Sequence, residues 1–382
     1  MTVDTAYFGR EQTLVKHTVL KQYLRVLALI VGRSFARDIP FVDCCSGPWN
    51  TVTDDLSDSS IGIAIQELRM ARSKLTEEGR AVSFRCLFVE KDPHTYGQLQ
   101  RFCKTVTNFE VKPMRGDFTQ RIPDILRFVA ERNNVFPFFF IDPTGWLSLK
   151  IKPLTPLLQA NPGEVLVNFM TSFIGRFLAA DGKDFGELLG EQALDDMRGM
   201  TGQDRDDAAA LAYANQIGRA GNFPYVCTTV VLNPQQDRPH YHLIYATRHP
   251  KGVQVFKDAE RHASSIMELA RADAQQRHQI AVSRQTELFT VEQNGAGNDK
   301  YLRSLRNRYL DQARQLVRQQ LMLRKPVLYE EAWKVACRFP LVWESDLRDW
   351  IRAWEGKVDV RGMKPNQRVP KCQAGNTLVW TA

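Results

Sequence analysis

The segment from Phe138 to Trp146 combines residue types from which an active site could be built. It reads Phe-Phe-Phe-Ile-Asp-Pro-Thr-Gly-Trp, so an apolar strand runs directly into the acid Asp142, the rigid Pro143 and the aromatic Trp146. In open α/β sheets ligands bind beyond the carboxyl ends of the strands, which is where this cluster would lie. For an isolated Asp-Pro-x-Gly, turn statistics favour a simpler alternative in which Asp142 only satisfies the turn.

Two earlier strands also end in acids. The first ends at Asp43 and continues into Ser46 and Gly47, where a nucleotide-binding sheet would place a turn against its cofactor. With a single glycine this motif is also typical of an ordinary turn. The second ends at Glu90, whose carboxylate matches two ribose hydroxyls or, equally well, caps a helix.

The third strand leads into Asp117 and Phe118, an acid and a ring suited to the amino edge and the face of an adenine. Together with Asp43, Glu90 and Asp142, an acid thus stands at the end of each of the first four strands. A row of acids suits S-adenosylmethionine (SAM), which carries a cationic sulfonium, an amine and two ribose hydroxyls, better than a phosphate-rich cofactor. The sequence therefore predicts SAM as the cofactor.

Strand and helix patterns alternate through most of the chain, which predicts parallel βαβ units in a doubly wound, Rossmann-like sheet. Strands are predicted at 39–44, 83–89, 109–113, 136–141 and 164–168, and helices at 13–33, 62–75, 93–106 and 122–133. Residues 171–220 look helical. Two further strands at 225–232 and 241–246 are close enough for an antiparallel hairpin. A mainly parallel sheet finished in this way is the layout of class I methyltransferases.

The excess of positive over negative charge lies entirely at the end of the chain. The net charge is +8, yet residues 300–382 hold 17 Lys and Arg against 8 Asp and Glu, while residues 1–299 hold 34 against 35. A localised basic region is the electrostatic footprint of a nucleic-acid-binding domain, although a solvated basic helix that binds nothing is as common. We predict a Rossmann-like domain at 1–286, a polar linker at 287–299 and a basic domain at 300–382.

The basic domain has the pattern of a winged helix, with three predicted helices followed by two short strands. An apolar stripe runs along its first helix at Leu302, Leu305, Tyr309, Ala313, Leu316 and Val317. The residues predicted to contact phosphates are Arg303, Arg306, Arg314, Arg318, Lys364, Arg368 and Lys371.

Several classes of protein are excluded by composition. No apolar run reaches the roughly 18 residues of a membrane span, and residues 1–6 lack a secretion signal, so a cytoplasmic location is expected. The 7 cysteines are scattered and odd in number, which indicates free thiols. No Cys-x-x-Cys pair is present, and we expect no metal site.

Almost the whole chain resembles the three-Cys-motif partner family (TcmP), whose members look like SAM-dependent methyltransferases. The matching residues are Lys16-His17 with Leu20 and Tyr23, Asp43 with Ser46-Gly47-Pro48, the block 140–146, Val167-Asn168-Phe169-Met170 with Arg176-Phe177, and the block 241–252. The resemblance implies a Rossmann-type fold and a separate protein partner, a phage-type, radical-SAM-like protein with three cysteines. Trp49 stands where the family has a glycine, and Cys45 replaces an aromatic.

Two functions follow as hypotheses. The first is SAM-dependent methyl transfer to an exocyclic amine of a nucleic-acid base. Asp142, Pro143 and Trp146 resemble the Asp/Asn-Pro-Pro-aromatic motif of amino-methyltransferases, although Thr144 replaces the second Pro and Gly145 shifts the aromatic by one residue. The second is a non-catalytic nucleic-acid-binding protein that recruits the three-Cys partner, which the Trp49 substitution favours because an indole prevents the close backbone approach that glycine allows.

Overall fold

The computed structural model describes residues 4–47, 51–53, 56–107, 109–172, 185–283 and 299–381. The chain divides into two compact units, a large one of residues 1–226 and 230–297 and a small one of residues 227–229 and 298–382. Of the predicted linker 287–299, all but Asp299 lies outside the described residues. The same is true of Trp49, Arg176 and Phe177.

A sheet of seven strands organises the large unit, in the order β3-β2-β1-β4-β5-β7-β6. The strands are β1 Asp38–Asp43, β2 Ser83–Glu90, β3 Glu110–Arg115, β4 Phe138–Ile141, β5 Glu164–Phe169, β6 Tyr225–Leu232 and β7 Pro239–Thr247. β1 to β5 pair in parallel and β7 runs antiparallel to β5. This is the Rossmann-like, class I methyltransferase-type sheet that the sequence predicts.

Helices flank this sheet. They are α1 Glu11–Ser34, α2 Ser60–Glu77, α3 Pro93–Thr105, α4 Phe118–Val129, α5 Ile151–Leu158, α6 Gly186–Leu189, α7 Glu191–Asp196, α8 Gly202–Gly221 and α9 Pro250–Ser283. All of β1, β4 and β5 is buried, as expected for strands covered on both faces. The long helix α9 and the short helix α5 were not predicted from the sequence.

A buried polar cluster fixes α1 against the sheet. The Tyr23 hydroxyl on α1 donates a hydrogen bond to Glu164 at the start of β5 and lies 2.5 Å from the Tyr245 hydroxyl of β7. Thr247 donates to the other oxygen of Glu164 at 2.7 Å. Gly252 is required beside this cluster, since a Cβ there would lie 2.8 Å from the Glu164 carboxylate. The cluster thereby sets where the first turns of α1 lie over the sheet.

The small unit contains three helices and an antiparallel sheet of three strands in the order β8-β10-β9. Its elements are α10 Lys300–Leu323, β8 Val327–Leu328, α11 Tyr329–Cys337, α12 Glu344–Ala353, β9 Val358–Arg361 and β10 Thr377–Trp380. The predicted stripe on α10 is buried except for Leu316, which is 42% exposed; Leu321 lies in the core instead. Trp333 and Trp354 are buried with it.

No helix among the described residues is both long enough and apolar enough to span a membrane.

Candidate functional site

A cavity of about 640 Å³ lies at the carboxyl ends of the first four strands of the large unit. Its volume is within the range of about 300–1,000 Å³ typical of small-molecule sites. The walls come from the segments after β1, β2, β3 and β4, and include Gly47, Glu90, Asp117, Phe118, Pro143 and Trp146 among the predicted site residues. Asp43, Ser46 and Asp142 are not among the residues that line it.

The loop after β1 is held close to β2. The Ser46 amide donates to the Val89 carbonyl at 2.9 Å, and the Ser46 hydroxyl donates to the Asp43 carbonyl at 3.1 Å. Ser46 is 3% exposed, so it shapes the loop from behind rather than facing the cavity. At Gly47 a Cβ would lie 2.6 Å from a carboxylate oxygen of Glu90. Only a glycine therefore lets this backbone pass beside Glu90.

Glu90 is the acid most directly placed on the cavity. It is 7% exposed, and its Oε1 accepts a hydrogen bond from the Asp92 amide at 2.6 Å. Asp92 itself caps α3 by accepting from the Thr95 amide at 2.8 Å. The carboxylate of Glu90 is thus fixed in orientation at the end of β2, on the wall of the cavity.

Asp117 and Phe118 begin α4 on the far wall of the cavity. Asp117 is the N-cap of this helix and accepts from the Thr119 amide at 2.9 Å and the Thr119 hydroxyl at 2.6 Å. This cap explains why α4 begins at Phe118 rather than at the predicted residue 122. Phe118 is 3% exposed and joins the hydrophobic core while also contributing to the cavity wall.

Asp43 is fully buried, with internal partners. Its carboxylate accepts from the Ser60 hydroxyl at 2.7 Å and from the Cys45 amide at 3.0 Å. Burial raises the pKa of Asp43 to about 6, with a smaller contribution from the nearby negative charge of Asp142. Asp43 therefore ties the loop after β1 to the start of α2.

Asp142 forms a second internal cluster. Its Oδ2 pairs with the ammonium of Lys16 on α1, and its Oδ1 accepts from the side-chain amide of Asn168 at 2.6 Å. The four strand-end acids thus separate into two pairs. Glu90 and Asp117 line the cavity, while Asp43 and Asp142 do not and are bonded to side chains of other elements.

Pro143 and Trp146 form the cavity wall on the β4 side. Pro143 is buried, and the Trp146 indole stacks on Phe185 with ring centroids 4.6 Å apart. Nothing lies within 4 Å of a Cβ built at Gly145, so the turn between them is open.

The sequence assigned no site role to Lys16 or Asn168. Asn168 could have been found as a polar residue closing an otherwise apolar strand. Lys16 could not, because it is 126 residues from its partner Asp142. Among the described residues, no group of three or more His, Cys, Asp or Glu side chains is placed to hold a metal ion.

The predicted phosphate contacts lie in the small unit. Six of the seven are exposed: Arg303, Arg314, Arg318, Lys364, Arg368 and Lys371. Arg306 is half-buried, donates to Asp346 at 2.8 Å and lies over the Trp343 ring at 4.4 Å. It supports the unit from within.

No protein-family model matches the chain, and no curated protein matches it. Protein LPL1258 of Legionella pneumophila, of the family DUF519, is a similar solved structure at 12% identity, covering 70% of this chain and 94% of its own with a TM-score of 0.38. Human methyltransferase-like protein 13 in complex with SAH is 11% identical, with coverages of 66% and 91% and a TM-score of 0.33. Loganic acid methyltransferase with SAH is 10% identical, with coverages of 74% and 94% and a TM-score of 0.32.

The fold class of this chain is shown by its strand order and by the antiparallel β7.

Proposed function

We propose that this protein is a SAM-dependent methyltransferase-like protein that acts on a nucleic-acid base together with a three-Cys-motif partner. The observation that carries the proposal is the cavity at the ends of β1 to β4, where Gly47 brings the backbone beside the oriented carboxylate of Glu90. In a sheet of this topology, that position is where a nucleoside-containing cofactor would bind.

The cavity residues suit the separate parts of SAM. Glu90 would accept hydrogen bonds from the ribose hydroxyls, Phe118 would pack on the adenine ring, and the carboxylates would favour the cationic sulfonium. When bound, SAM supplies a methyl group that passes to an acceptor amine, while the C–S bonding pair stays on sulfur and the amine loses one proton. The walls formed by Pro143 and Trp146 would exclude water and hold the acceptor in line.

A nucleic-acid acceptor is supported by the small unit. This unit has a net positive charge, which would attract a nucleic acid, and its exposed arginines and lysines could contact phosphates independently of the base sequence. The three-Cys partner is supported by the sequence resemblance alone. Co-expression of the two proteins and size-exclusion chromatography would test that association; separate elution at micromolar concentration would contradict it.

A second function, a non-catalytic nucleic-acid-binding protein that recruits the three-Cys partner, is favoured by one specific observation. Asp43 and Asp142 are already bonded within the protein, so two of the four acids at the strand ends make no direct contribution to the cavity.

Glu90→Gln tests the leading proposal. Loss of the charged acceptor should weaken SAM binding about 10- to 100-fold, since a hydrogen bond to a charged group contributes about 1.5–3 kcal/mol. Isothermal titration calorimetry would measure this, with Glu77→Gln as the matched control because Glu77 is a surface residue of α2. Equal SAM affinity in Glu90→Gln and the control would contradict the assignment of this cavity to the cofactor.

A further inference from the structure

Asn168, at the carboxyl end of β5, carries an unpaired buried acceptor. The residue is 4% exposed, and its side-chain nitrogen donates to Asp142 Oδ1 at 2.6 Å. Its side-chain oxygen has no hydrogen-bond partner in the part of the chain that the structure describes. Buried polar atoms are nearly always paired, so an exception beside a candidate site indicates a group that a ligand could satisfy.

The orientation of this amide is fixed by chemistry. The carboxylate of Asp142 pairs with the Lys16 ammonium, and an ionised carboxylate can only accept hydrogen bonds. The NH2 end of Asn168 must therefore face Asp142, and the oxygen must face away from it. Both oxygens of Asp142 already have a donor, whereas the oxygen of Asn168 has none.

The sheet order places Asn168 on the far side of β4 from the cavity. The cavity is bounded by the segments after β1, β2, β3 and β4, and β5 is the next strand beyond β4, about 4.8 Å away. Pro143 and Trp146, which follow β4, line the cavity, and Asp142 between them and the strand is bonded to Asn168. If the methyl group of a cofactor lay at this side of the cavity, its acceptor would approach from the β5 side, where Asn168 lies.

We propose that the side-chain oxygen of Asn168 accepts a hydrogen bond from an N–H of the methyl acceptor, with Asp142 and Lys16 as positioning residues. This inference rests on the proposed function and names its acceptor class. The Asp142–Lys16 ion pair carries no net charge, so it does not select for a charged ligand beside this oxygen. An uncharged exocyclic amino group of a nucleobase has the required donor and remains neutral at pH 7.

The test uses the full-length protein and labelled 12-nucleotide probes, bound in the presence of SAH and followed by fluorescence anisotropy. The probes are all-thymine DNA, the same DNA with one central adenine or one central cytosine, and all-uracil RNA. Thymine lacks an exocyclic amine, and the RNA adds hydroxyls without an amine. The wild type should prefer an amine-containing probe over all-thymine DNA by about tenfold or more, since a site built around an N–H rejects ligands that lack it.

Asn168→Leu should abolish this preference while leaving SAM affinity, measured by calorimetry, unchanged. Asn168→Ala removes the acceptor without adding volume and replaces Asn168→Leu if that variant does not fold. Asn133→Leu is the matched control. Asn133 is exposed and precedes β4, so it lies at the amino ends of the parallel strands, whereas Asn168 lies near their carboxyl ends.

Four results would overturn the inference: a wild type without the amine preference, an unchanged preference in Asn168→Leu or Asn168→Ala, a variant that loses affinity for all-uracil RNA as much as for the amine-containing probes, or a variant that loses SAM binding as well. The first three leave SAM binding intact in every protein and so leave the proposed function standing. Absence of SAM binding in the wild type would instead defeat the proposed function, and this inference with it.

Discussion

At the scale of single residues, the acids at the strand ends have different structural roles although their sequence contexts look alike. Glu90 is oriented towards the cavity by one backbone amide, whereas Asp43 is enclosed by Ser60 and by its own loop. The difference arises because one partner of Asp43, Ser60, comes from α2, which the chain reaches only after the loop. A strand-end acid in a sequence therefore predicts a polar edge of the sheet without predicting which acid faces a ligand.

Asp43 should make stability depend on pH. Burial raises its pKa from 3.8 to about 6, so the folded state binds this proton more tightly than the unfolded chain. Its contribution to stability is then full below about pH 4 and is lost as the pH rises through about 6. Asp43→Asn carries no charge and does not lose this contribution. The difference in free energy of unfolding between Asp43→Asn and the wild type should therefore rise in favour of the variant by about 2–3 kcal/mol from pH 4 to pH 7.

Urea unfolding at a series of pH values would measure this difference. The control is Asp195→Asn, since Asp195 lies on the surface of α7. A difference between Asp43→Asn and wild type that stays constant from pH 4 to pH 7 would contradict the account of this carboxyl.

At the scale of elements, one buried ion pair joins β1, β2 and α4. Arg85 and Asp38 are 0% and 2% exposed, and Arg85 donates to Asp38 at 2.6 Å and 2.9 Å and to the Phe128 carbonyl at 2.8 Å. Among the described residues, Arg85→Ala would leave the buried Asp38 charge with Arg132, 3.5 Å away, as its remaining ion-pair partner. We expect a loss of about 3 kcal/mol in the free energy of unfolding.

The surface pair of Arg33 and Glu78 provides the comparison for denaturant unfolding. It also has two hydrogen bonds, at 2.9 Å and 2.6 Å, but both side chains are partly exposed. Arg33→Ala should lose much less stability than Arg85→Ala, because solvent screens an exposed pair. Similar losses in the two variants would show that burial does not govern the Arg85 pair.

The strands could be predicted well from the sequence because buried parallel strands read as continuous apolar runs. β6 was predicted at 225–232 and spans Tyr225–Leu232, and the antiparallel β7 was predicted within two residues at its start. Helix α9 was missed because polar residues interrupt its apolar positions, and α5 because Pro153 and Pro156 lie within it. The cluster of Lys16, Asp142 and Asn168 could not be predicted from the sequence, because only tertiary folding brings α1 to the ends of β4 and β5.

At the scale of the whole molecule, charge is divided between the two units. The predicted nucleic-acid contacts belong to the small unit, and the cavity belongs to the large one. Binding and chemistry would then be separable by mutation, because a change in one unit leaves the residues of the other in place.

Replacing Arg314 and Arg318 with alanine should weaken nucleic-acid binding. Both are exposed on α10, with guanidinium groups 5.8 Å and 5.6 Å from the rings of Trp354 and Trp380. Each lost phosphate contact should lower the slope of log K against log salt by about 1, for all base sequences alike. Anisotropy titrations between about 50 and 200 mM salt would measure the slope, because the Debye length is on the order of 10 Å in this range.

The control is the double variant Arg314→Lys with Arg318→Lys, which keeps both positive charges. An unchanged affinity and salt slope in the double alanine variant would remove these residues from the nucleic-acid surface.

The central claim, that the cavity at the ends of β1 to β4 binds SAM, is tested most directly by calorimetric titration of SAM into the wild type and into Gly47→Ala. The account predicts saturable 1:1 binding to the wild type and at least a tenfold loss of affinity in Gly47→Ala, since the added methyl group would displace the Glu90 carboxylate. The absence of binding heat in the wild type at millimolar SAM would contradict it.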